Sequence, residues 1–396
     1  MNERLEISEI ILLLKSVLNS KDGTIPLHAP LFVGKEWTYV KDCLDTGWVS
    51  SVGKYVDEFE DRIAQYTGVK HVIATVNGTA SLHLCLRLVG VNQGDEVLMP
   101  ALTFIATANA VSYCGAIPHF VDIDGDTLGV NYEKLNLYLE RITQIKDGIC
   151  FNKQTGRPIK ALIVMHTFGQ PANLDPLEKV CKKFNLELIE DAAEALGSFY
   201  KNRHVGNFGK VSSLSFNGNK IITTGGGGAV LTNDSELAKL AKHLSTTAKL
   251  PHPWAFIHDQ IGFNYRLPNI NAALGCAQME HINDFIRCKR NLADRYRKAF
   301  RNKNGITFFQ EAEYARSNYW LNTLILDDEY AVMRDSILAA TNEQGINTRP
   351  PWTLMNKLAM YQGCPRMDLR EAESLEQRII NIPSSADLGA EYDRET

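Results

Sequence analysis

From about residue 55 to 245, short β-branched runs alternate with helical stretches, and that alternation confines the chain to few architectures. It is the βαβ pattern of an α/β fold with a mainly parallel sheet flanked by helices. Strands are expected at Val72–Val76, Glu96–Met99, Ile117–Val121, Lys160–Met165, Leu186–Glu190, around Ser213 and at Gly228–Leu231. Helices are expected over Ala80–Val89, Leu174–Phe184 and Asp234–Leu244. In the second of these, Leu174, Leu177, Val180 and Cys181 fall on one face, with Asn173 or Asp175 near the cap. Past residue 280 the chain turns more charged, with a basic helix over Arg287–Arg301. The expected division is an N-terminal helix and arm over 1–50, a large domain over 51–275 and a smaller C-terminal α+β domain over 276–396. The hinge is expected near Leu274–Asn283.

Charge and cysteine usage exclude several classes of function. The 46 acids outweigh the 42 bases, giving a net charge of −4 without a long basic run, so a phosphate-reading surface for nucleic acid is not expected. The eight cysteines form no CxxC pair and mostly lie in apolar segments, which reads as reduced thiols in a cytoplasmic protein. Ile7–Leu18 is apolar, but Glu3, Glu6 and Glu9 precede or interrupt it and only Asn19-Ser-Lys-Asp-Gly23 follows, which suits an amphipathic helix better than a targeting segment. No stretch is long and apolar enough to span a bilayer.

In parallel sheets ligands gather at the carboxyl ends of the strands. Asn77-Gly-Thr79, Thr103-Phe104, His166, Asp191 and Lys220 all follow expected strands. Lys220 lies in a loop of Ser, Asn and Gly residues, and Asp191 ends a strand in an Ala-rich turn. A lysine paired with such an acid is the requirement of pyridoxal 5′-phosphate, whose aldehyde needs an amine and whose pyridine nitrogen needs a carboxylate. Gly78-Thr79-Ala80-Ser81 opens a helix after a strand and suits the phosphate, although an ordinary N-cap has the same look. Phe104 could stack on the ring or belong to the core, and Ser215 could bond the phosphate. Glu194 could face the 3′-oxygen or cap its turn, and His166 could touch substrate or be structural. Gly225–Gly228 lacks the Gly-Lys-Ser/Thr ending of a nucleotide-binding loop and reads as close backbone packing. No Gly-x-Gly-x-x-Gly follows the first strand, which excludes a Rossmann dehydrogenase.

Taken in order, Gly47-Trp-Val-Ser-Ser51, Asn77-Gly-Thr-Ala80, Pro100-Ala-Leu-Thr-Phe104, His166-Thr-Phe-Gly-Gln170, Glu190-Asp-Ala-Ala-Glu194, Ser215-Phe-Asn-Gly-Asn-Lys220, Gly262-Phe-Asn-Tyr-Arg-Leu-Pro268 and Arg349-Pro-Pro351 resemble the sugar-nucleotide aminotransferases of the DegT/DnrJ/StrS group over essentially the whole chain. The resemblance implies a fold-type I homodimer in which Lys220 forms the internal aldimine and Asp191 pairs with the pyridine nitrogen. Gly78, Thr79, Ala80 and Ser215 would then hold the phosphate, with Phe104 on the ring and Glu194 near it, where many members carry Gln. Asn264 would reach the partner subunit's cofactor, and Trp48, His166, Arg266 and Arg349 would contact substrate. The implied reaction moves an amine from L-glutamate, through the pyridoxamine 5′-phosphate form, to a 4-keto-6-deoxy nucleotide sugar. The resemblance is nearest to the UDP-linked legionaminic-acid and bacillosamine branch, with the GDP-linked perosamine type as the alternative. A dehydratase of this fold would carry histidine at position 220, and a non-catalytic sensor would not need Lys220 and Asp191 together.

Overall fold

The runs read as strands are buried on both faces, as strands of a parallel sheet sandwiched between helices must be. In the computed structural model, which describes residues 5–18 and 23–390, all five residues of both Glu96–Pro100 and Gly228–Thr232 are buried. Glu3 and the linker residues 19–22 lie outside the described residues. The central sheet has seven strands. Named by starting residue, their order is 71, 228, 211, 187, 159, 96, 117. Gly228–Thr232 runs antiparallel to both its neighbours, and the other strands run parallel to one another. The carboxyl ends of the parallel strands therefore share one edge, and Gly228–Thr232 starts from it.

Several elements fall where the sequence places them, including the strand Ile117–Val121 and the helix Leu174–Phe184. That helix buries Leu174, Leu177, Val180, Cys181 and Phe184. Asn173 occupies its N-cap position without capping it, because Asn173 Oδ1 accepts from the Tyr200 hydroxyl at 3.0 Å. Two boundaries move in ways that matter for the site. The strand expected to end at Glu190 runs Glu187–Asp191, since Asp191 pairs in register with Met165. The helix expected from Ala80 begins at Gly78, because Asn77 caps it through Oδ1, which accepts from Ala80 N at 2.8 Å.

The C-terminal part adds an antiparallel three-stranded sheet, Ile306–Phe308, Asn322–Leu326 and Ile379–Ile382, against the helix Ile282–Ala299. Helix Ile7–Leu18 buries Ile10, Leu14, Val17 and Leu18 in the same cluster. Beyond it, the arm is tied down where Ser384 N donates to Leu27 O at 2.7 Å. The chain turns at Glu280–His281 between two helices, inside the range expected for the hinge. No disulfide forms among the eight cysteines, six of which are buried. Among the described residues no helix is long and apolar enough to cross a membrane.

Candidate active site

A cavity of ≈ 290 Å³ opens at the carboxyl edge of the sheet. The strand ends supply Thr79, Phe104, Asp191, Ser215 and Lys220 to its wall, and the C-terminal part closes it with Trp320, Arg349 and Trp352. At one end the first turn of helix Gly78–Leu88 presents its N–H groups. Those of Gly78 and Thr79 have no intrahelical partner, since the first turn of a helix never provides one. A Cβ on Gly78 would come within 2.9 Å of Ser215 Cβ, so only glycine allows this turn and Ser215 to share one small cradle. Ala80, expected in that cradle, is drawn away from it: its N–H is used by Asn77 Oδ1, and Ala80 lines a neighbouring crevice with Tyr113 and Tyr265.

Asp191 lies deep in the cavity. Thr107 Oγ1 donates to its Oδ2 at 2.8 Å and Ala193 N to its Oδ1 at 3.2 Å. Burial pushes its carboxyl above the usual range, against the pull of Thr107, Ala193 and the more distant Lys220. A buried carboxylate with two donors and, among the described residues, no bonded cation suits a protonated ring nitrogen. Lys220 Nζ is 3.4 Å from Glu194 Oε1 and sits 4.0 Å over the ring of Trp320. Glu194 Oε2 accepts from Phe168 N at 2.9 Å. Phe168 reaches that position only by adopting φ 57°, a left-handed conformation that a bulky residue rarely takes. Burial raises the Glu194 carboxyl to about 7, opposed by Lys220, Phe168 N–H and Arg349 and assisted by Asp191. Arg349 is partly buried, and its Nε and Nη2 have no partner among the described residues. Burial lowers its pKa, with Glu194 opposing.

His166 does not join this cavity. Its ring is fully buried, with Nδ1 accepting from Ala172 N at 3.2 Å, which puts the proton on Nε2, 3.1 Å from Glu190 Oε2. Both nitrogens are occupied, so the substrate contact expected of it is replaced by a structural one. Trp48, Asn264 and Arg266 also lie outside the cavity wall. The indole of Trp48 is exposed while its carbonyl accepts from Asn269 Nδ2 at 2.7 Å, and Arg266 Nη2 is 3.4 Å from Asn264 Oδ1. Trp320 and Thr107 belong to the site and went unread in the sequence. Thr107, in the first turn of the helix Ile105–Tyr113, carried a usable signal, since it follows the strand-end loop at Phe104.

The cradle for an anion, the buried Asp191 and the amine of Lys220 fit pyridoxal phosphate in size and charge. The pattern of the DegT/DnrJ/EryC1/StrS aminotransferase family matches residues 32–394. The chain belongs to this family. Among its relatives is the GDP-perosamine synthase of Caulobacter vibrioides, 38% identical over 93% of this chain and 96% of that protein. Among solved structures, Helicobacter pylori PseC, an aminotransferase of pseudoaminic acid biosynthesis, superposes with a TM-score of 0.83 at 25% identity, covering 92% of this chain and 94% of its own. A putative sugar aminotransferase of Streptococcus pneumoniae, Spr1654, superposes in its PMP form with a TM-score of 0.83 at 25% identity over 94% of each chain, and it was also solved in a PLP form. This DegT-family protein is thus a pyridoxal-phosphate-dependent aminotransferase acting in nucleotide-sugar chemistry, with the fold-type I architecture of its neighbours.

Proposed function

We propose that this aminotransferase moves the amino group of L-glutamate to the keto carbon of GDP-4-keto-6-deoxymannose, as a GDP-perosamine synthase. What carries the transfer itself is the placing of Lys220 Nζ in the cavity that also holds Asp191. What favours the GDP-linked acceptor over the UDP-linked one is the near-full-length similarity to a protein of that name.

In this reading Lys220 Nζ is the amine that first holds the cofactor. Once freed, it is the base that moves the donor's α-proton. When bound, the cofactor supplies an electron sink for that carbon. Asp191 would keep the proton on the ring nitrogen, Glu194 would stand near the 3′-oxygen, and Phe104 would cover the ring. Gly78, Thr79 and Ser215 bind the phosphate. The free N–H groups of Arg349 are available to a substrate anion. Support for a second copy completing the site comes from the stretch before Asn264 and Arg266, where Trp254 is 81% and Ile261 88% exposed. Trp48, Asn264 and Arg266 then act across that interface.

The test is a visible spectrum of the PLP-loaded protein. Glutamate should bleach the yellow absorbance, and GDP-4-keto-6-deoxymannose should restore it. Restoration by UDP-linked 4-keto sugars alone would overturn the choice of nucleotide, and no bleaching would overturn the choice of donor.

A further inference from the structure

Trp320 belongs to no motif that marks the site, yet the Lys220 amine sits over its ring face, 4.0 Å from the centroid, beside Glu194. The indole is bolted to the lysine's own loop, since Nε1 donates to the carbonyl of Asn219, the preceding residue, at 2.6 Å. Its backbone is equally constrained. Trp320 N donates to Asn318 Oδ1 at 2.8 Å, and Asn318 Nδ2 donates to Glu194 O at 2.8 Å and Leu196 O at 2.9 Å. Between them Tyr319, although buried, takes the left-handed φ of 48°. One short segment of the C-terminal part therefore fixes both the Glu194 turn and the aromatic face under Lys220.

A second lysine holds this segment from behind. Lys289, in the helix read as basic, is fully buried and donates to Trp320 O at 3.2 Å and to Ser384 O. Among the described residues no carboxylate bonds to it, and burial lowers its pKa to about 7, with Asp387 opposing. A buried lysine held by carbonyls is costly where a methionine of similar length would fill the space. Its two bonds pin the Trp320 carbonyl to the Ser384 turn.

We propose that Trp320 is a positioning residue that receives the amine of Lys220 whenever that amine is not bonded to the cofactor, and that Lys289 keeps the indole in place. The electron-rich face of an indole attracts an ammonium, and the effect strengthens away from water. In the exchange that frees the lysine, the donor's ammonium enters and its nitrogen takes over the bond to the cofactor carbon. Two of the donor ammonium's protons pass to the Lys220 nitrogen, which leaves as the neutral amine and becomes the ammonium on taking the donor's α-proton, so protons and electrons balance without an oxidant. Trp320 then stabilises every state with a free lysine, including the cofactor-free protein and the pyridoxamine phosphate complex, relative to the state in which Lys220 is consumed.

The inference rests on the assignment of Lys220 but not on the identity of donor or sugar, and its test needs neither. The dissociation constants of pyridoxal phosphate and pyridoxamine phosphate are measured for the wild-type apoprotein and for Trp320→Leu. Removing the aromatic face should tighten pyridoxal phosphate binding roughly three- to tenfold while leaving pyridoxamine phosphate binding unchanged. Trp320→Phe should bring the ratio back toward wild type. A purely structural role would weaken both ligands together, and an unchanged ratio in a folded variant overturns the proposal. Trp320→Met fills the volume without a π-face and reads the same ratio if the leucine variant does not fold. Lys220→Ala should abolish the preference for pyridoxal phosphate. If it does not, the assignment of Lys220 fails. If it does while Trp320→Leu changes nothing, this inference alone fails.

Discussion

Glu190 and Asp191 are consecutive residues of one strand, both buried, and they face opposite fates. Glu190 accepts from His166 Nε2, the N–H groups of Gly206, Phe208 and Gly209, and Ser212 Oγ. Burial alone would raise its carboxyl, but those donors outweigh burial and hold it below the usual range. Asp191 has only Thr107 and Ala193 among the described residues, and burial wins, so its carboxyl is pushed up. A strand turns successive side chains to opposite faces, so one backbone presents a completed polar network on one side and an incomplete one on the other. A completed network specifies structure. The incomplete cluster of Asp191, Glu194, Lys220 and Arg349 is preorganised for groups that the protein itself does not supply.

The sharpest way to break this comparison is to damage each side separately. On the open side, Lys220→Ala should lower turnover ~10³-fold or more while leaving the unfolding midpoint nearly unchanged, as read from steady-state rates and a urea titration. On the closed side the pattern should invert. Glu190→Ala strips the acceptor from a cluster of buried donors and should destabilise the fold by about 3–5 kcal/mol, measured by the same titration. Arg349→Met should move the apoprotein the other way, stabilising it by about 1 kcal/mol because a buried guanidinium with unpaired N–H groups is removed. Its Michaelis constant for substrate should rise. A destabilised Arg349→Met apoprotein would mean that the guanidinium is already satisfied.

The smallest expected effect lies in pH dependence. Glu194 ionises at about 7 in the folded protein against an ordinary 4.5. Between those values the native state holds a proton that the unfolded chain has lost, so stability from this group falls as pH rises through that window. Glu194→Gln should remove that slope and raise the melting temperature of the apoprotein at pH 8 by about 2 °C, while little changes at pH 4.5. A difference of the same size at both pH values would show that Glu194 does not titrate in this window.

Much of the fold and of the open side was legible because it is local. Helix Leu174–Phe184 announces itself by the spacing of its apolar residues, Asp191 and Ser215 end their strands, and Thr79 and Lys220 come within a few residues of a strand end. The closed side was misread at His166, which was counted with the other strand-end residues. Register would have placed it: Met165 pairs with Asp191 and lines the cavity, so its neighbour His166 turns away toward Glu190. Trp320 was out of reach, being 100 positions from Lys220 and brought there by Asn318, Lys289 and a left-handed Tyr319. Lys289 reads as one more charge on a basic helix until packing buries it.

The most direct measurement is chemical trapping. The protein is loaded with pyridoxal phosphate, reduced with sodium borohydride, digested and mapped by mass spectrometry. A phosphopyridoxyl group on Lys220 is the expected result, since this amine alone among the cavity-lining residues shares the wall with Asp191. Labelling of another lysine, or none, would contradict the assignment of the open cluster as the cofactor site.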